Sequence, residues 1–355
     1  MKKIMFLCHG AGNGGAERVI TTLASEFSKK NYEVSMVTTN EAHNDYVLEK
    51  NVQRKKVISY AHNAIFRTFN RIFLLRKYIK EFKPDVIISF SSIPNMQSIV
   101  ADFGIRNKLI ISERTDPARY PTSKFGQLLR SVLYPFADII VFQTEDARKY
   151  FSERIQKKSC IILNPIRSNL PVNEWKNTEK RIIGIGSLGE QKNWLMSLKA
   201  LEIFFQSNTD YFCEIYGEGP DRGYLQNIID TSDVLKNRVL LKGFSNDVVN
   251  ILAKSSIYLS SSDYEGISNS MLEAMAVGTP AICTDCPVGG AKMMIISGEN
   301  GLLVPVGDYK LMAKAIQDIA NNQEYAMKLG RNAMEIRKRL NLEKILDEWE
   351  ALLNK

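Results

Sequence analysis

Short β-branched and apolar runs alternate along the chain with longer stretches whose apolar positions recur at helical spacing. Ile4–Cys8 leads into a helix over about Ala16–Lys29 and then a strand at Glu33–Thr38, and further runs at Val86–Phe90, Leu109–Ser112 and Ile139–Gln143 have helical stretches between them. This alternation predicts a parallel sheet joined by crossover helices. The Asn- and Pro-rich stretch Asn164–Thr178 has no apolar period and reads as a linker. The pattern restarts at Arg181–Gly186, with a helix from about Trp194, a strand at Tyr211–Gly217 and a helix near Asp221–Asp230. Strands at Val239–Gly243, Ile257–Ser260 and Ala281–Cys283 follow, then helices to the end. The expected class is α/β: a Rossmann-like N-terminal domain at 1–165, a linker at 166–178, a second Rossmann-like domain at 179–338 and a terminal segment at 339–355. Ligands of such sheets sit at the carboxyl ends of strands, where anions meet helix N-termini, so a cleft between the domains is the expected site.

Composition narrows the classes. With 355 residues, 45% hydrophobic and 24% charged, the chain fits two medium globular domains and excludes disorder or a disulfide scaffold. The net charge of +8 is uneven: residues 1–170 hold 27 Lys and Arg against 15 Asp and Glu, whereas 171–355 hold 20 against 24. The densest stretch is 54–83, with nine basic residues and one acid. Such asymmetry suits an anionic partner, either nucleic acid or a membrane surface. No apolar run reaches the length of a bilayer span, and the opening run is too short for a signal peptide, so a reduced, cytoplasmic protein is expected. The pair Cys283/Cys286 lacks a second pair or a nearby His and is not read as a zinc or redox site.

Three loops carry candidate chemistry. Gly10 to Arg18 places Gly12, Gly14 and Gly15 between the first strand and its helix, where backbone and helix N-terminus can meet an anion, although the spacing is neither GxGxxG nor a P-loop. In the second half, Gly186–Asn193 sets Lys192 beside flexible backbone at a strand end, suited to diphosphate, and Gly217 and Gly219 end the next strand. The richest window is Ser260–Gly278. Ser270 and Glu273 have capping-box spacing, which gives Glu273 a purely structural reading. Against that, Glu265 leads through Gly266, Ile267 and Ser268 to Asn269, so backbone donors at a helix start are bracketed by two carboxylates, an arrangement that can hold a sugar phosphate.

At these residues the chain resembles the retaining glycosyltransferases of family 4, with the GT-B fold of two Rossmann-like domains facing each other across a cleft. Glu265 and Glu273 match the E-x7-E motif, followed by Glu-Ala-Met-Ala-Val-Gly-Thr-Pro-Ala and by Gly298-Glu299-Asn300-Gly301-Leu302-Leu303-Val304-Pro305. Gly14-Gly15-Ala16-Glu17-Arg18 is similar to the family's glycine loop. The resemblance implies that Glu265 lies beside the donor sugar and Glu273 holds the ribose. Lys192 with the backbone at Ile267, Ser268 and Asn269 would hold the diphosphate, with Gly14, Gly15, Ser187, Gly217 and Ser270 completing the donor site. A terminal helix at 339–355 crossing back to the N domain is likewise implied.

Two departures stand out. Ser187 occupies a position where the family usually has Arg, and Ser112-Glu113-Arg114-Thr115-Asp116-Pro117 stands where an N-domain His is common. The latter resembles a Ser-Glu-Arg subgroup, and Arg114 is expected to supply the missing cation across the cleft. His9, Arg18 and Glu113 are assigned to the acceptor side, and His43 and His62 to the surface.

The resemblance implies metal-independent transfer of a hexosyl unit from a nucleotide sugar, UDP-linked, to a glycan or polyprenyl-diphosphate-linked acceptor in surface polysaccharide biosynthesis. No cofactor is called for. The chain contains no D-x-D triplet. The stretch Ala61–Phe82 is read either as a core-packed crossover helix with a basic outer face or as a helix on anionic lipid. The second places the protein at the inner face of the cell membrane, and nucleic acid is disfavoured because no aromatic stacking platform accompanies the charge. Two other readings stay open, an impaired transferase-like binding subunit, because of Ser187, and a sugar-nucleotide epimerase of similar fold.

Overall fold

The computed structural model describes residues 1–12, 14–41, 46–175 and 178–354. The chain divides into two compact units, Met1–Asn164 with Glu343–Lys355, and Pro165–Leu342. The first unit runs β1 (Lys2–Cys8), α1 (Gly15–Lys29), β2 (Tyr32–Thr38), β3 (Gln53–Lys56), α2 (Ala64–Phe82), β4 (Val86–Phe90), α3 (Ser92–Asp102), β5 (Lys108–Ser112), α4 (Lys124–Leu133), β6 (Ile139–Phe142), α5 (Glu145–Lys149), α6 (Glu153–Gln156) and β7 (Ser159–Ile161). The second runs β8 (Glu179–Ile185), α7 (Trp194–Phe205), β9 (Phe212–Tyr216), α8 (Arg222–Thr231), β10 (Val239–Gly243), α9 (Val248–Ala253), β11 (Ser255–Ser260), α10 (Asn269–Val277), β12 (Ala281–Thr284), α11 (Gly290–Met294), β13 (Leu302–Val304), α12 (Tyr309–Ala320), α13 (Gln323–Ala333) and α14 (Ile336–Arg339). The last helix, α15 (Leu342–Asn354), packs with the first unit.

The first sheet has the order β3-β2-β1-β4-β5-β6-β7 and the second β10-β9-β8-β11-β12-β13, with every pairing parallel. Central strands covered on both faces require continuous apolar runs, and β4 is buried at all five positions. The edge strand β3 is the opposite case. Its sequence, Gln-Arg-Lys-Lys, is wholly exposed and pairs with β2 through its backbone and a Gln53–Glu33 side-chain contact, with no apolar residue, which is why apolar patterning misses it. The core of the second unit includes Trp194, Leu201, Phe204 and Phe205. Each such burial contributes about 1.5–3 kcal/mol.

The Asn-rich stretch read as a linker is tied to the second unit. Asn173 is fully buried, donates its backbone N–H to Val277 O (2.7 Å) and its Nδ2 to Ser255 O (2.9 Å), and the Trp175 indole donates to Gly278 O (2.8 Å). Amide side chains replace the missing ladder here, satisfying buried carbonyls that coil would leave orphaned.

Candidate functional site

In the second sheet β8 lies beside β11, although β9 and β10 separate them in sequence. Connections leave these two strands toward opposite edges, so their carboxyl ends frame a crevice at the point where strand order reverses. Lys192 closes a single 3-10 turn (Glu190–Lys192) after β8, and Glu265 lies in the loop after β11. The Lys192 ammonium is ion-paired with Glu265 Oε2, which also accepts from Ser262 Oγ (2.9 Å). Their side chains are only 12% and 20% exposed. The two loops are clamped together: Asn193 Nδ2 donates to Asp263 Oδ1 (2.6 Å), and Ser261 Oγ to the carbonyls of Lys192 and Asn193 (both 2.9 Å). Asn193, Ser261 and Asp263 carry no motif, and only their place at the two strand ends marks them.

Backbone packing fixes the rest of the rim. Gly217 has φ +150°, and a Cβ there would lie 1.8 Å from Gly186 O. At Gly290 a Cβ would lie 1.8 Å from Gly266 O, because α11 starts directly against the Glu265–Ile267 loop, whose Glu265 N–H donates to Pro287 O (2.6 Å). Gly290→Ala is therefore expected to push that loop outward and to destabilise the second unit by about 1–3 kcal/mol, the range for overpacking. A urea unfolding midpoint equal to that of the parent would exclude this.

The start of α10 corrects the capping expectation. Ser268, not Ser270, is the N-cap, accepting from Met271 N–H (3.4 Å), so Glu273 lies beyond capping-box position. Ser270 Oγ instead ties the helix to the sheet, contacting Tyr258 OH (2.9 Å) and donating to Ile185 O (3.2 Å). Glu273 is 2% exposed, and its Oε1 lies 3.2 Å from Nε of Arg167, a residue that sequence reasoning passed over. Ile267 is buried, Asn269 opens α10, and the exposed Ser187 gives its carbonyl to the Trp194 indole (2.9 Å). Cys283 and Cys286 line a narrow crevice with Glu265 and Ser268, and burial pushes both thiols up, Cys286 to about 11.

The residues expected in the first unit fall into two groups. Exposed His9 follows β1; its Nε2 is 3.3 Å from Asn40 Nδ2, and Arg71 Nη2 donates to Asn40 Oδ1 (3.2 Å). Partial desolvation of the ring, then the Arg71 charge, hold His9 below its ordinary value, which favours the neutral ring. Gly14 is the N-cap of α1, Gly15 its exposed first residue, and Arg18 is half-buried. The Glu17 carboxylate folds back over Gly14, where a Cβ would meet Oε2 at 1.9 Å. The Glu17 side chain therefore lies beside Gly14 at the start of α1.

Glu113 and Arg114 are buried in the first unit. Glu113 Oε2 accepts from Ser92 Oγ (2.7 Å) and Tyr134 OH (2.6 Å). Arg114 stacks 4.0 Å from the Phe90 ring centroid and 5.7 Å from that of Trp349, and donates to Asn164 Oδ1 (2.8 Å). Desolvation lowers its guanidinium to about 9. Arg114, expected as a diphosphate cation, and Glu113, expected as an acceptor contact, are thus both buried in the first unit, and Nε and Nη2 of Arg114 are buried without a hydrogen-bond partner. His62 is exposed, and His43 lies outside the described residues.

Residues 13–169 match the family described as Glycosyltransferase Family 4, and residues 166–336 match Glycosyl transferases group 1. The chain is a glycosyltransferase of the family 4 type. Over 99% of its length this glycosyltransferase is 29% identical to 98% of the Campylobacter jejuni GalNAc-alpha-(1->4)-GalNAc-alpha-(1->3)-diNAcBac-PP-undecaprenol alpha-1,4-N-acetyl-D-galactosaminyltransferase. It is also 29% identical, over 91% of the chain and 92% of the relative, to N-acetylgalactosamine-N,N'-diacetylbacillosaminyl-diphospho-undecaprenol 4-alpha-N-acetylgalactosaminyltransferase of the same organism. Among solved structures, Anabaena Alr3699/HepE in complex with UDP and glucose superposes with a TM-score of 0.87 over 100% of both chains at 18% identity. That likeness shows the GT-B fold of the glycosyltransferase.

Proposed function

We propose that this glycosyltransferase moves a hexosyl unit from a UDP-sugar, with retention of configuration, onto a polyprenyl-diphosphate-linked glycan during surface polysaccharide assembly. The observation that carries this reading is the Lys192–Glu265 pair at the strand-order reversal, with the positive end of α10 beside it. Bound donor lays its diphosphate against Lys192 and the start of α10, and Glu273 takes the ribose hydroxyls. As the bond to the anomeric carbon breaks, negative charge grows on the departing diphosphate, and a preorganised cation and helix dipole stabilise it without reorganisation. In front-face attack the leaving phosphate oxygen takes the acceptor proton, so no separate protein base is needed. The relatives that act on undecaprenyl-diphosphate acceptors across nearly the whole chain favour a lipid-linked acceptor over a free glycan.

The test incubates purified protein with UDP- and GDP-sugars and membrane lipid extract, follows label into the lipid fraction, and assigns the product anomer by NMR. Transfer from a UDP-sugar with an α-linked product is expected. Donor conversion without acceptor would indicate an epimerase, and donor binding without turnover an impaired subunit, as the single cation beside Ser187 would then explain.

A further inference from the structure

The first sheet has its own point of strand-order reversal. β1 lies beside β4, and the chain leaves β1 for β2 on one side and β4 for β5 on the other, so the carboxyl ends of β1 and β4 frame a crevice of the first unit. Leu7 pairs with Ser89 there, and two residues further along the two strands lie His9 and Ser91. Ser91 has φ +77° and ψ 149°. Lys83 and Asn193, also at positive φ, have ψ 62° and 51°, in the left-handed region that side chains tolerate. The Ser91 conformation is one that glycine alone adopts freely.

The surroundings force this conformation. The Ser91 N–H donates to Ser112 O (2.9 Å), and the Ser91 carbonyl accepts from the Asn95 N–H (2.9 Å). Asn95 Nδ2 donates to Ser112 O (2.9 Å) and to Tyr134 OH (3.1 Å), and Ser92 Oγ donates to Glu113 Oε2 (2.7 Å). Ser92, Asn95, Ser112, Glu113 and Tyr134 are each at most 1% exposed, whereas Ser91 is half-buried. The carboxylate expected to meet an acceptor therefore fixes the start of α3 instead, and the side chain left at the strand end is that of Ser91. Although Ser91 is the N-cap of α3, its Oγ caps no helix N–H, and it has no hydrogen-bond partner among the described residues. A glycine here would make each of the same backbone bonds without strain, so neither the fold nor the cap accounts for a hydroxyl at this position. Strain of this kind persists where a side chain is aimed at a ligand.

We propose that Ser91 Oγ holds the acceptor, hydrogen-bonding a hydroxyl of its terminal sugar next to the one that attacks, and that the strained backbone aims it there. This assignment rests on the proposed transfer to a glycan acceptor. The test titrates membrane lipid extract as acceptor, with the UDP-sugar that supports transfer, against the parent, Ser91→Gly and Ser91→Ala. Both variants are expected to raise the acceptor KM about tenfold, the worth of one hydrogen bond, with donor KM and kcat at saturating extract within about twofold of the parent. Ser91→Gly should at the same time melt about 2–4 °C higher, since the strain leaves with the side chain, while the still strained Ser91→Ala should melt with the parent. A parent that transfers sugar while both variants keep its acceptor KM overturns this assignment and leaves the functional reading standing. So does a Ser91→Gly protein that melts at or below the parent, which would make the side chain a structural support. A parent that converts UDP-sugar with no acceptor present overturns the functional reading, and this assignment falls with it.

Discussion

Lys192→Met is expected to lower kcat for sugar transfer by about 10²–10³-fold, the loss seen when one preorganised donor to a developing negative charge is removed. The size follows from scarcity. Ser187 brings no charge to the β8 loop, Lys192 is the cation paired there with Glu265, and Arg114 is buried in the first unit. The Lys192 ammonium is held by Glu265, itself held by Ser262, which fixes its position at the end of β8. Lys192→Arg should recover part of the rate, since the charge is kept while the compact ammonium geometry is lost. Glu265→Gln should also lower kcat, and the double variant should fall by much less than the product of the two losses, because each single change already breaks the shared pair. Additive losses would show that the two side chains act independently. An unchanged kcat in Lys192→Met would remove the diphosphate assignment altogether.

What the sequence made legible follows the physics of each element. The run Val86–Phe90 is a strand in the structure with the same bounds, since an interior parallel strand has no polar face to blur its edges. The window from Ser260 was readable because strand, loop and helix start are each written in distinct residue types. Its cap was not. Ser268 and Ser270 are both good N-caps two residues apart, and the choice depends on Ser270 being engaged by Tyr258 and Ile185, a tertiary fact. Arg114 illustrates the same limit: a basic residue just past a strand reads as a ligand-facing charge, and its burial against Phe90 and Trp349, the latter more than 200 positions along the chain, is not written in the local sequence. Arg167 lay in a stretch dismissed as linker, where no motif drew attention to it.

In the proposed donor site, Arg167 stands beside the carboxylate assigned to the ribose. Glu273→Ala is expected to weaken UDP-sugar binding about a hundredfold, the equivalent of one strong charge-assisted hydrogen bond to the ribose hydroxyls. A carboxylate 2% exposed is costly to keep ionised without a partner, and Arg167 Nε at 3.2 Å supplies one. Arg167 is itself 47% exposed, so screening limits its share. Arg167→Ala is accordingly expected to raise the donor KM about tenfold with kcat nearly unchanged, the signature of uniform binding lost and not of transition-state stabilisation lost. Arg167→Lys should recover only part, because a point charge replaces a planar guanidinium whose Nε–H is aimed at the carboxylate. A purely structural Arg167 would behave differently, lowering the unfolding temperature of the second unit while leaving KM alone. If KM holds in both Arg167 variants while Glu273→Ala loses donor, Arg167 does not set the position of Glu273, and the pair has no role in the site.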